Sequence, residues 1–497
     1  MPPIHGVKTV TTNVGWSVLS KTATFGLKFV TVPILARLLT PSEFGTVAVA
    51  LTVVQFLTMI GGAGLTSALI MEQEEDRETV DSVFWANLAM ATLMSLVLYL
   101  AAAPLAIAMG APQSATLLKV MALLIPIQLS GDVAYSLLAK QLNFSKDAMW
   151  STISESLAAL IAVLMAYLGF GVWALVAQLF AAALIRLCGL YIASGYVPAP
   201  VVRPRKLLPL LSFSSGVMGS EIANFVTFQS PMIIITRLLG LADAGAYSVA
   251  NRFASIPNQV VLSAVMGVLF PAFSLMGDDR KRRADALMLS TQVTTVLLAP
   301  AMFGLWAVAE PAMLVIFGTD WAYAWRVLGL LALSKAIITP CSTFIPYLKG
   351  TGHGRVLFWS AVLRAIVTTV VLALAANHGG LEKAMMALCA VNAVTLIGYS
   401  WVVFRVDEIP FLRGLLTSSR SMISAMVMAV AVRSILESLQ GQIQNPYVEL
   451  LAGAVTGGVI YAVFLLLMEQ DLLRKLVELA RTRRMPSQDP ALSDTPP

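Results

Sequence analysis

Hydropathy along the chain rises and falls fourteen times. Apolar runs occupy roughly 14–37, 44–70, 80–108, 115–139, 149–169, 171–195, 209–238, 244–275, 286–310, 321–350, 355–376, 382–404, 419–440 and 447–468. At 1.5 Å of rise per residue, each is long enough to cross a hydrocarbon layer about 30 Å thick. In lipid the backbone must satisfy its own polar groups, which a helix does internally. The pattern predicts an all-α polytopic membrane protein with about 14 transmembrane helices. Only Gly169-Phe170-Gly171 separates the fifth run from the sixth, so a tight turn joins them.

The runs repeat. "RLLTPSEFGTVAVA" (Arg37–Ala50) is echoed by "RLLGLADAGAYSVA" (Arg237–Ala250), 200 positions later. "PLAIAMG" (Pro104–Gly110) returns as "PAMLVIFG" (Pro311–Gly318), and "LKVMALL" (Leu118–Leu124) as "WRVLGLL" (Trp325–Leu331), both offset by 207. Trp150-Ser151 returns at Trp359-Ser360, offset 209. Four matches in order, with the offset drifting by nine residues, predict a duplication. Two pseudo-symmetric six-helix bundles occupy 1–200 and 201–405, and two extra helices occupy 406–470. Residues 471–497 read as a cytoplasmic interfacial helix followed by a Pro/Ser/Asp-rich disordered tail. Six spans is an even number, so the halves share an orientation and relate by a pseudo-two-fold along the membrane normal.

Charge fixes the sides. The chain is 58% hydrophobic and 12% charged, whereas soluble domains carry about a quarter charged residues. Alternating loops place 21 Lys and Arg residues on one side and four on the other, namely Arg37, Lys119, Arg237 and Lys383. Positive charge marks the cytoplasm, so both termini lie inside a multi-pass inner-membrane protein. The net charge of +6 therefore signals topology, not nucleic acid. Cys188, Cys341 and Cys389 fall in apolar runs and read as packing residues, and His5, His353 and His378 are scattered. No metal site, cofactor or catalytic residue is expected. The acidic loop "MEQEEDRETVD" (Met71–Asp81) reads as a solvated cap with Asp81 starting the third helix. "GDDRKRR" (Gly277–Arg283) reads as a cap and topology signal.

Charges inside the runs cost about 2.5–3.5 kcal/mol at helix centre and normally face a cavity or a partner. Lys21 and Lys28 are seven apart on one face of the first run; Arg252 lies in the eighth and Lys335 in the tenth. A cavity lined by Lys21, Lys28, Arg252 and Lys335 suits an anionic substrate. Glu221, Glu155, Arg364 and Asp132 are the candidate gating or coupling charges. The repeat maps Lys21 onto Glu221 and Glu155 onto Arg364, so equivalent positions carry opposite charges twice. Lys21 and Glu221 are expected to pair when the cytoplasmic side closes, although Lys21 snorkelling to the inner surface is an open alternative. Glu155 and Arg364 fit a structural tie between halves or a substrate role equally. Asp132 beside Gly131 suits a helix break, Arg186 and Arg326 suit interface anchors, and Arg433 is peripheral.

"ARLLTPSEFGTVAVA", "PLAIAMG" and "LNFSKDAMW…AYLGFGVWALVAQ" (Leu142–Trp150, then Ala166–Gln178) resemble polysaccharide-transport (Wzx-like) oligosaccharide flippases. These belong to the multidrug/oligosaccharidyl-lipid/polysaccharide exporter superfamily, and the 6+6+2 layout is similar to that of murein lipid flippases. The resemblance implies a V-shaped pair of bundles with helices 1, 2, 7 and 8 lining a central cavity. It implies an undecaprenyl-pyrophosphate-linked oligosaccharide as substrate, flipped by alternating access for exopolysaccharide, capsule or O-antigen synthesis. In related flippases cavity arginines bind the pyrophosphate; here Lys21, Lys28 and Arg252 occupy the matching helices. Coupling to H⁺ or Na⁺ and contact with polysaccharide polymerase and export proteins are further expectations. Two rivals stand: a multidrug exporter, against which the cationic set counts, and a membrane glycan polymerase or ligase. The short outer loops, around a dozen residues at most, count against the latter.

Overall fold

A computed structural model describes residues 26–27, 29–63, 69, 76–141, 144–275, 279–439 and 445–470; for 144, 205–218, 220 and 263–275 it describes the backbone alone. The described residues are helical, with no strand among them. Eleven segments are long and apolar enough to cross a membrane, and one of these, 53 residues long, covers two passages.

In the N-terminal half, α1 (Phe29–Leu38) leads through the first corner into α2 (Pro41–Ala63) and α3 (Arg77–Ala108). The fourth passage is broken into α4 (Ala115–Met121) and α5 (Leu124–Lys140). Then come α6 (Phe144–Tyr167) and α7 (Val172–Ser194). The predicted Gly-Phe-Gly turn joins them, with Gly169 at φ +81° and Gly171 at φ +55°, values that an L side chain resists.

The C-terminal half repeats this order. It runs α8 (Pro204–Leu239), α9 (Leu241–Leu275), α10 (Arg280–Ala307) with its short extension α11 (Ala309–Phe317), then α12 (Trp325–Ile338) and α13 (Phe344–Gly350). Its last two passages form one element, α14 (Gly354–Val406), whose helical geometry breaks at Gly379 and Gly380. The added pair is α15 (Phe411–Leu439) and α16 (Pro446–Met468). It docks on the C-terminal half through a core that includes Met302, Phe303, Met428 and Val432.

Helix starts follow local chemistry. Asp279 caps α10 by accepting from Arg282 N–H at 3.0 Å, as the Gly277–Arg283 stretch predicts. The reading of Asp81 is corrected. Asp76, not Asp81, caps α3, accepting from Glu78 N–H at 3.2 Å and from the Thr79 hydroxyl at 2.8 Å. Asp81 is buried a turn later and accepts from the Tyr196 hydroxyl at 2.7 Å and Ala199 N–H at 3.2 Å. The donors come from beyond α7, so Asp81 ties the third passage to the sixth. Burial, then the bond to Asp81, push the Tyr196 phenol well above its ordinary pKa.

The C-terminal half has its own version of this tie. Arg283 of α10 donates to Asp407 at 2.6 and 3.1 Å, and the Tyr347 hydroxyl donates to the same carboxylate. Burial alone would raise the Asp407 carboxyl; the bonds from Arg283 and Tyr347 outweigh it and hold it below the ordinary range. Each half thus closes one end with a buried carboxylate that accepts a tyrosine hydroxyl.

Candidate functional site

The echoed corners meet each other. Where α2 crosses α9, a Cβ on Gly45 would lie 2.0 Å from the Leu241 carbonyl oxygen, and one on Gly245 1.8 Å from that of Pro41. Backbone packs on backbone here, which only glycine allows. Arg37 Nε donates to Ile316 O at 3.3 Å, and its guanidinium also reaches Val315 O. In the reciprocal contact, Arg237 Nη1 donates to Ile107 O at 3.4 Å. Ile107 belongs to "PLAIAMG", and Val315 and Ile316 to "PAMLVIFG". Each corner arginine therefore donates to carbonyls near the end of the opposite half's third passage, and Ile107 O accepts from Gly110 N–H at 3.0 Å as well. Across the seam Trp321 Nε1 donates to Ala36 O at 2.7 Å; within the C-terminal half the Tyr323 hydroxyl donates to Ala242 O at 3.3 Å. The halves are sealed at this end.

Deeper, contacts between halves thin to side chains. Phe29 meets Phe253 with ring centroids 5.0 Å apart, and Phe56 meets Phe225 at 5.2 Å. Gln229 Nε2 donates to Gln55 Oε1 at 2.9 Å.

Three cavities flank this seam. The first, about 670 Å³, lies among α2, α5, α6 and α7 and is completed by Phe225 and Gln229 from α8 of the other half. Its wall is polar, including Gln55, Gln128, Asp132, Ser151, Glu155 and Arg186. The second, about 530 Å³, lies between α8 and the two arms of α14. Its wall is apolar apart from groups such as Asn224, Ser360 and Arg364. The third, about 400 Å³, is an apolar groove where Phe29 and Phe253 meet α10, Gly453, Gly457 and Tyr461 of the added pair.

A family profile described as polysaccharide biosynthesis protein matches residues 34–326. The chain belongs to that family. Succinoglycan biosynthesis transport protein ExoT of Rhizobium meliloti (strain 1021) is 67% identical over 484 residues, 97% of this chain and 98% of its own length. Lipopolysaccharide biosynthesis protein WzxC of Escherichia coli (strain K12) is 23% identical over 64% of this chain and 65% of its own. Among solved structures, lipid II flippase MurJ in an inward closed conformation aligns with a TM-score of 0.75 at 14% identity, over 92% of this chain and 99% of that one. A multidrug resistance MATE family transporter in an inward-facing conformation aligns with a TM-score of 0.62 at 16% identity, covering 78% and 95%. At these identities the structural likenesses speak for the fold alone. They agree with the fourteen-passage, two-bundle expectation.

In this polysaccharide biosynthesis protein the expected charges take different stations. Lys21 and Lys28 lie outside the described residues. Arg252 is exposed on α9 and lies within electrostatic reach of Glu155 in the opposite half. Lys335 is half-buried on α12 and lines none of the three cavities. Glu221 pairs with Lys349 at 3.4 Å inside its own half; the expected Lys21 pairing falls outside the described residues. Glu155 and Arg364 are not brought together: Glu155 lines the polar cavity and Arg364 the apolar one. Arg364 sits 5.1 Å from the Phe228 ring centre, and its buried Nε has no partner among the described residues. Asp132 opens onto the polar cavity, where no described donor reaches its carboxylate.

The anchors are mixed. Arg326 pairs with Glu382 at 2.9 Å and Arg433 with Glu437 at 3.0 Å, both on exposed faces. Arg186 pairs with Asp147 at 3.0 Å yet also lines the polar cavity. Residues that sequence reasoning passed over are neutral, namely Gln55, Gln128, Ser151 and Gln229. The available signal was their spacing, since Gln128 and Asp132 stand four apart on one face of an otherwise apolar run.

Among the described residues no three His, Cys, Asp or Glu side chains are placed to hold a metal ion.

Proposed function

We propose that this protein is a flippase for lipid-linked oligosaccharide repeat units, delivering them across the bacterial inner membrane for polysaccharide assembly. The observation that carries the reading is the cleft itself. Two repeat-related halves are latched at one end by reciprocal contacts, and beneath the latch lie a polar cavity and an apolar groove. An amphiphile with a sugar head and a polyprenyl tail needs both environments at once. Near-full-length 67% identity to a protein named for succinoglycan transport supports that class of cargo.

In this reading the charge count orients the latch outward and both termini inward. The lipid is loaded from the inner leaflet. Its pyrophosphate is held by Lys21, Lys28 and Arg252, with Lys335 adding positive potential from the tenth passage. Guanidinium and ammonium groups fit phosphate oxygens through charge-assisted hydrogen bonds. The tail lies along the groove beside Gly453 and Gly457, where apolar surface replaces acyl chains at little cost. Opening the latch and closing the cytoplasmic ends then exposes the head to the outside. Glu155, Glu221, Asp132 and Arg364 change neighbours as the halves rock, which is where coupling to H⁺ or Na⁺ would act. No covalent bond is made or broken.

The test is export in a host lacking its own oligosaccharide flippase. Wild type restores surface polysaccharide, and Arg252→Gln lowers export at least tenfold at equal membrane abundance. Failure of wild type with several lipid-linked glycans, together with efflux of organic cations, would replace this reading with that of a drug exporter.

A further inference from the structure

We infer that the polar cavity of the N-terminal half is a saccharide subsite, which holds uncharged sugar rings of the cargo apart from its pyrophosphate. The inference rests on the flippase reading and assigns one part of the cargo to one place.

Charge excludes the phosphate from this cavity. Asp132 and Glu155 line it, and Arg186, the one cation among its described lining residues, is already engaged by Asp147 at 3.0 Å. A pyrophosphate placed beside Asp132 and Glu155 would meet two carboxylates, so its place is nearer Arg252, which lies in the opposite half within electrostatic reach of Glu155. Hydrogen-bonding capacity points the other way. The Gln128 amide and the Asp132 carboxylate have no hydrogen-bond partner among the described residues, and both face the cavity. Planar amides and carboxylates offer paired acceptors, and in the amide a donor as well, the pattern that vicinal hydroxyls match. Polar groups at this depth, left without protein partners, need a polar guest or water. A guest with hydroxyls can pair with these half-buried groups, and a guest lacking them leaves them to water.

The size of the cavity suits an organic guest. Its volume of about 670 Å³ falls in the usual range for small organic ligands, about 300–1,000 Å³. Phe225, packed against Phe56 at 5.2 Å, supplies an apolar wall for the C–H face of a sugar ring.

One wall belongs to the other half. Phe225 and Gln229 come from α8, and Gln229 is bonded to Gln55 of α2 at 2.9 Å. The subsite is complete only while the halves stay together at this depth, and their separation removes one wall. Sugar release is thereby tied to the rocking motion.

The test uses the purified full-length protein in nanodiscs and two probes, neither carrying a lipid. One is the oligosaccharide repeat released enzymatically from succinoglycan; the other is inorganic pyrophosphate. Saturation-transfer NMR reads the sugar, calorimetry the pyrophosphate, and thermal melting checks folding. Wild type is expected to bind the oligosaccharide. Gln128→Leu and Asp132→Asn each weaken that binding at least tenfold and leave pyrophosphate affinity within twofold. Arg252→Gln does the reverse. The inference is overturned if wild type shows no saturation transfer at 10 mM oligosaccharide, or if both cavity variants bind it as wild type does. It is also overturned if ²³Na NMR finds a sodium site lost in Asp132→Asn while sugar binding is untouched. Export by wild type in the flippase-deficient host separates the two failures: export without oligosaccharide binding sinks the subsite alone, and binding without export sinks the flippase reading while supporting the subsite.

Discussion

The cavities of the two halves stand at related places in the repeat and have opposite chemistry. Glu155 of α6 and Arg364 of α14 occupy equivalent positions under the 209-residue offset. One lines a wall of amides, hydroxyls and carboxylates, the other a wall of leucine, valine and aromatic side chains. At the sealed end the halves have barely diverged. Arg37 and Arg237 make reciprocal contacts, and Gly45 and Gly245 face each other. Duplication has thus kept symmetry at the sealed corner and lost it around the cavities. That division suits an amphiphile, since a symmetric pair of pockets would suit only a symmetric guest.

The largest effect is expected at the symmetric end. Gly45→Val places carbon atoms where the Leu241 carbonyl already lies, since even a Cβ would sit 2.0 Å from its oxygen. Overpacking typically costs about 1–3 kcal/mol, and a backbone obstacle cannot rotate away. Export should fall below a tenth of wild type. Because Gly245 meets the equivalent Pro41 carbonyl, Gly245→Val should do the same damage. Complementation and the accessibility of a cysteine placed at Ala242 to a membrane-impermeant reagent measure both effects. If either valine variant exports normally with the cysteine still protected, the corner is not the outer seal.

How much of this was legible beforehand follows from what each feature depends on. The passages and the turn at Gly169–Gly171 rest on local composition, so hydropathy finds them. The latch was half-legible: the echo of Arg37 in Arg237 and of Pro104–Gly110 in Pro311–Gly318 showed which elements correspond, but not that each arginine reaches across to the other half's copy. Asp81 was misread because an acid near a helix start looks like a cap; its donors, Tyr196 and Ala199, lie more than a hundred residues away. The cavities were illegible for a related reason. Gln55 and Gln229 are ordinary polar residues until two helices from different halves bring them within 2.9 Å.

A mid-sized effect is expected from comparing the two mirrored charges. The buried Arg364 Nε has no hydrogen-bond partner among the described residues, so the residue is held at a cost partly offset by the Phe228 ring at 5.1 Å. A charged side chain in a membrane helix costs about 2.5–3.5 kcal/mol, and a cation–π contact returns about 0.5–2 kcal/mol. Arg364→Met should therefore raise the melting temperature by a few degrees while lowering export several-fold, as a residue retained for function at the expense of stability would. Glu155→Met should lower the melting temperature, because Arg252 then loses the carboxylate within its electrostatic reach. If both methionine variants shift stability in the same direction, the chemical division between the halves is not what sets their charges.

The smallest effect on export is expected from the buried ties, which hold each half together and touch no cavity. Asp407 has a fully buried side chain and accepts from Arg283 and Tyr347, whereas Asp81 accepts from Tyr196 and a backbone amide without an arginine. The Asp407 carboxyl is therefore held below its ordinary value, despite burial. A folded-state pKa below the unfolded one contributes stability that is fully present above about pH 4. That contribution fades as pH falls through the lowered value. Asp407→Asn removes the charge and should lower the melting temperature at every pH above about 4, by an amount that stays constant from pH 5 to 8. Below pH 4 the wild-type and variant curves should converge, because the wild-type carboxyl then takes up its own proton. Thermal melting across pH 3 to 8 reads this directly. Convergence above pH 5 would mean that the Arg283 pair does not hold the carboxylate ionised.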